Sequence, residues 1–73
     1  MKVSLIGQIA EVDREIALRE RVYPEQIRRG KMRQAEAEML IGRMRAVRAS
    51  LSFLQDNEAD IRAMVAARKA AQA

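Results

Sequence analysis

The chain has no cysteine and no histidine. Without cysteine there are no disulfides and no thiolate metal sites, which suits a reducing cytosol. Without either residue, the common nucleophile–base pairs and zinc sites cannot be assembled. The Glu-x-x-His pairs of a di-metal helical bundle are missing for the same reason. The paired carboxylates of a glycosidase need a cleft that a 73-residue chain is too small to form. Glu11, Asp13, Glu15, Glu36 and Glu38 are therefore read as interhelix salt-bridge partners. No enzymatic activity and no cofactor is expected. Proline occurs once, glycine three times, and Tyr23 and Phe53 are the only aromatics. Turn residues this sparse exclude a sandwich or barrel. No run of large apolar side chains exceeds Met39-Leu40-Ile41, far short of the ~20 residues of a membrane span. Residues 1–6 lack the apolar stretch of a signal peptide. A single cytoplasmic domain, without membrane contact, is the expectation.

What is present points to helices. Hydrophobic residues make up 49% and charged residues 33%, which is not the composition of a disordered chain. Ala, Arg, Glu, Leu, Met and Gln dominate, and all are good helix formers. Ser4 can cap a helix that begins at Leu5. Leu5, Ile9, Val12, Ile16 and Tyr23 then follow at spacings of 4, 3, 4 and 7, a stripe along one helix face. Glu15 and Arg19 form a favourable i,i+4 pair. Pro24 interrupts, since it lacks an N–H and biases Tyr23 away from the α region. Helix 1 either spans about 5–22, with Pro24 opening a short second turn, or runs kinked to Arg29. The expectation is helix 1 at about 5–22 and a bend over 23–32. Gly30 suits the left-handed position that closes a helix.

The chain then reads as helix from about residue 33 to 70. Ala37, Leu40, Met44, Val47, Leu51, Leu54, Ile61 and Val65 recur at alternating spacings of 3 and 4, broken only at Glu58. Such an a/d series is a coiled-coil-type seam. Asp56-Asn57-Glu58 are better caps than mid-helix residues, so a third helix starting near Glu58 is the alternative. The seam keeps its phase through the triplet, and one long helix is the expectation. At 1.5 Å per residue that helix is ~57 Å long, against ~38 Å for helix 1 taken to Arg29. Folded back as an antiparallel hairpin, helix 1 leaves the far end of helix 2 uncovered. Leu51, Leu54, Ile61, Met64 and Val65 are the candidate residues for self-association into a helical bundle, as a dimer or higher oligomer. Residues 70–73 are expected to fray.

Net charge is +4, and eleven of the fourteen bases are arginine. Residues 19–33 carry six bases (Arg19, Arg21, Arg28, Arg29, Lys31 and Arg33) against two acids, Glu20 and Glu25. That window holds the whole excess. It is either a solvated turn or a site for an acidic protein surface or for phosphates. Base stacking has only Tyr23 to offer, and neither a helix-turn-helix nor a bZIP pattern is present. An acidic protein partner is preferred over nucleic acid. Arg43, Arg45 and Arg48 read as exposed flanks whose stems cover the apolar stripe. The methionines read as core filler, with Met64 the one best placed to face a partner.

Glu15-Ile16-Ala17-Leu18-Arg19-Glu20-Arg21-Val22-Tyr23-Pro24, then Gly30-Lys31-Met32, Gln34 and Ala37, resembles small helical-hairpin proteins of phages and prophages of Proteobacteria. Their shared pattern is roughly E-x-x-x-R-x-x-V-Y-P, then G-[KR]-M-[ST]-Q-x-x-A, and the likeness covers about residues 9–55. Arg33 stands where the pattern has Ser or Thr, so the expected hydroxyl cap of helix 2 is missing. The resemblance implies a phage context and a helical hairpin, and no substrate. The expectation is a small accessory protein that binds and modulates a host or phage protein. The alternatives are a nucleic-acid-associated protein acting through the basic bend, and a structural coiled-coil adaptor.

Overall fold

The computed structural model describes residues 2–73, and Met1 lies outside them. The chain is all-α, with α1 (Leu5–Arg28), α2 (Gln34–Asp56) and α3 (Glu58–Gln72). Ser4 caps α1 as its sequence suggests, its Oγ accepting from the Gly7 N–H at 3.0 Å. The Gln8 side chain reaches back to the Val3 carbonyl at 3.0 Å and ties down the entry.

Pro24 does not end α1, which runs through it to Arg28. The end near 22 and the bend over 23–32 are thus corrected: the connection is only residues 29–33. Proline removes one donor, the one that would serve the Glu20 carbonyl. Glu20 and Pro24 are both exposed, so water can take that carbonyl. Tyr23 and Ile27, on either side, stay half-buried. The helix closes at Gly30, at φ +71°. The Lys31 N–H donates to the Gln26 carbonyl at 2.9 Å and the Gly30 N–H to the Ile27 carbonyl at 3.0 Å. This is a Schellman closure, which a glycine allows without strain.

α2 starts at Gln34 without a side-chain cap. Arg33 takes the extended N-cap backbone, φ −88° and ψ 149°, but makes no capping hydrogen bond. Glu36 in the first turn is the remaining favourable group at that positive helix end.

The single long helix expected over 33–70 is two helices, broken at Asn57 (φ −114°, ψ 15°). Both the backbone N–H of Asn57 and its side-chain Nδ2 donate to the Phe53 carbonyl, at 3.1 and 2.8 Å. A side chain that competes for its own backbone acceptors is why asparagine sits poorly inside helices. The break inserts no extra residue, so the apolar periodicity runs on unchanged. α3 also keeps the direction of α2. Thirty-nine residues, from 34 to 72, span ~58 Å as helix, and the longest dimension of the chain is 59 Å.

α1 and α2 pack as a hairpin. Its register is set by Arg19 Nη1 donating to the Leu40 carbonyl (3.1 Å), by Arg45 with Glu20 (2.9 Å) and by Arg48 with Asp13 (2.5 Å). The same register puts the first turn of α1 opposite the last turn of α2. α3 lies beyond and makes no contact with α1.

The seam divides. Ala37, Met44 and Leu51, seven apart, turn toward α1: Ala37 is 3% exposed and the other two are half-buried. On the second row Val47 and Leu54 are exposed, while Leu40 and Ile61 are half-buried. Ala37 is the only buried apolar residue among those described. The radius of gyration is 17.7 Å, where a compact domain of this length has ~11 Å. The accessible surface is 5988 Å², where a compact monomer of 8.3 kDa exposes about 4,600 Å². The chain carries about 1,400 Å² more surface than a self-sufficient fold of its mass.

Candidate interaction surfaces

The six bases expected at the bend separate into three that are engaged and three that are free. Arg19 is engaged on both sides. Its Nε meets Glu15 at 2.8 Å while Nη1 holds the Leu40 carbonyl, and its side chain is 24% exposed. It fastens α1 to α2. Arg28 and Arg29 both close on Glu25, Arg29 at 2.9 Å. Arg21, Lys31 and Arg33 are exposed, and no carboxylate lies within 4.0 Å of them among the described residues. Lys31 and Arg33 share the connection and line a shallow hollow with Met32, Glu36 and Met39. Arg21 stands seven residues before the end of α1, ~10 Å back along the helix. The bend thus presents one basic pair and one separate arginine, not a six-residue cluster.

Arg45 and Arg48 do more than flank the stripe, since both bridge to α1. Their ion pairs with Glu20 and Asp13 close one side of the hairpin. Between those pairs and the bend lies a groove of about 520 Å³, floored by Tyr23, Ile27, Ala37 and Ile41 and opened by Gly42. The periodicity of α1 puts Tyr23 on its apolar stripe but carries no sign of the groove. Its only sequence signal is Gly42, a glycine in mid-helix whose absent side chain leaves the lip open. Elsewhere on α1, Glu11 accepts from Arg14, and that hydrogen bond holds its carboxyl below the usual range.

The other surface is apolar and lies at the open end. Of the five residues expected to self-associate, Leu51 is half-buried in the row facing α1. Leu54 (39%), Met64 (55%) and Val65 (43%) are exposed and Ile61 is half-buried. Val3, Ile6 and Phe53 join them, with Ile6 71% exposed. The hairpin register brings the start of α1 to the end of α2, so these three gather at the same end. Sequence periodicity missed them because none lies on the heptad seam.

Among the described residues no group of three potential ligands could hold a metal ion, and no helix is long and apolar enough to cross a membrane. No known protein family, curated protein or solved structure matches this chain.

Proposed function

We propose that this chain is a non-enzymatic protein–protein interaction module. It self-associates through α3 and the adjoining end of α2 into a helical bundle, and in that form binds and modulates a partner protein in the cytoplasm. The phage-type resemblance of residues 9–55 makes a host or phage protein the natural target. The observation that carries the reading is the excess of about 1,400 Å² of surface over a compact monomer of this mass. A standard interface removes ~800 Å² per partner. Of the nine large apolar residues exposed among those described, six (Val3, Ile6, Phe53, Leu54, Met64 and Val65) lie toward one end, while Leu18, Met39 and Val47 lie elsewhere. Patches of that kind mark association surfaces. Lys31 and Arg33 at the opposite end supply an unengaged basic pair for an acidic partner.

Light scattering should give at least twice the chain mass of 8.3 kDa at micromolar concentration. Affinity capture from host lysate, with and without nuclease, should recover the same defined protein in both conditions. Reversal of Lys31 and Arg33 to glutamate should abolish that recovery. Capture only without nuclease, with salt-sensitive duplex binding, would replace the reading with the nucleic-acid one. Three free bases limit the log–log salt slope to about −2.7 in that case. A monomer that captures nothing would remove both readings.

A further inference from the structure

We infer that the occupant of the α3 face is the α3 of a second copy of this chain, lying antiparallel to it. The inference rests on the self-association proposed above and specifies its geometry. Glu58, Ile61, Val65 and Lys69 follow one another at spacings of 3, 4 and 4 and so share one stripe of α3. The stripe has an acid at its N-terminal end, two apolar residues in the middle and a base at its C-terminal end. Ile61, Val65 and Lys69 line a hollow of about 290 Å³ with Arg62 and Ala66, the kind of recess into which a facing helix inserts a side chain.

A two-fold interface must be self-complementary: whatever residue i meets, its symmetry mate meets in return. Laid antiparallel about a centre near Ala63, the stripe satisfies this. Glu58 comes beside the second copy's Lys69, Ile61 beside its Val65, and each contact occurs twice. Laid parallel, the same stripe sets Glu58 against Glu58 and Lys69 against Lys69. Among the described residues Lys69 has no carboxylate within 4.0 Å, and Glu58 has only its own i,i+4 neighbour Arg62 at 2.7 Å. The antiparallel overlap also fits the available space. α1 stops where α2 stops, so the flank of α3 is vacant over its 15 residues, ~22 Å. A second α3 has that same length. Its far end reaches the exposed Ile6, Phe53 and Leu54 of the first copy.

The chain has no cysteine, so Ala46→Cys gives a single spin-label site on an exposed turn of α2. In the antiparallel assembly two such labels are separated by 34 residues of helix, about 50 Å along the axis. In a parallel assembly they lie side by side, on the order of 10 Å apart. A dipolar distance near 50 Å in a sample that scatters as a dimer is the expected result. A distance under about 30 Å in such a sample would overturn the geometry and leave self-association standing. A monomer at every accessible concentration would overturn both. Glu58→Lys alone and Lys69→Glu alone should each weaken the dimer about tenfold. The double exchange should restore it, with helicity checked by circular dichroism. Failure of the exchange to restore a helical protein would refute the Glu58–Lys69 pairing.

Discussion

Gly42 sits inside α2 with its side exposed, and a Cβ added there meets nothing within 4 Å. Gly42→Ala should therefore gain the full helix-propensity difference, about 1 kcal/mol, with no steric offset. Unfolding entropy near 2.1 cal/mol/K per residue gives about 0.15 kcal/mol/K for 73 residues. The midpoint should rise by about 6 °C. The assay is a circular-dichroism melt at one fixed protein concentration, because the proposed assembly would make the midpoint concentration-dependent. Gly30→Ala is the internal control. Its φ of +71° disfavours any Cβ, and it should lower stability by roughly 1–2 kcal/mol. Gly42 also opens the lip of the Tyr23 groove. A midpoint that stays level or falls on Gly42→Ala, with Gly30→Ala behaving as stated, would refute the reasoning. It would mean that another surface packs over Gly42 in solution.

Three further outcomes follow from the hairpin contacts. Arg19→Met should destabilise by about 1–2 kcal/mol, since it removes a charged donor from the Leu40 carbonyl; chemical denaturation reads it, and Arg19→Lys should recover only part. A double-mutant cycle on Asp13 and Arg48 should give only a small coupling, because both side chains are nearly half exposed, and 1 M salt should shrink it further. Tyr23→Ala should cost about 2 kcal/mol, less than for a fully buried ring, because Tyr23 is half-buried at the groove; a change under a few tenths would make the ring a contact residue instead.

The sequence carried the helical class, the Ser4 cap, the Gly30 closure and the antiparallel hairpin, because each is a local signal or a simple periodicity. Pro24 was ambiguous for a physical reason. One missing donor in an exposed turn is a modest loss that packing on both sides can outweigh, and no local pattern reports that packing. The break at Asn57 leaves no trace in the hydrophobic phase. A break that adds no residue leaves the phase of Leu54 and Ile61 intact, so periodicity is blind to it. The basic bend looked larger than it is. Arg28 and Arg29 stand three and four residues after Glu25, a spacing that already pairs them on a helix, once α1 is known to run through Pro24. Arg19 reaching the Leu40 carbonyl, and Arg45 and Arg48 reaching Glu20 and Asp13, depend on the hairpin register, which no single-helix pattern contains. The split of the seam was hidden in the same way. Which row α1 takes is a matter of its approach to α2, and spacing is equal for both.

The isolation of α3 has a consequence for the lifetime of the chain. Fifteen residues of helix are marginal in water without tertiary cover, and α3 has none from α1. In an unassembled copy its amides should therefore open at low free-energy cost and exchange with solvent quickly, while those of α2 facing α1 exchange slowly. Hydrogen exchange across a dilution series should show α3 protection rising with concentration and α2 protection nearly constant. Opening exposes Arg62, Arg68 and Lys69 to trypsin-like cleavage in a segment that no longer holds its shape. In the assembly proposed above, orphan subunits would be clipped and assembled ones spared, so the amount of the working form would be set by how many copies have found each other rather than by how many were made.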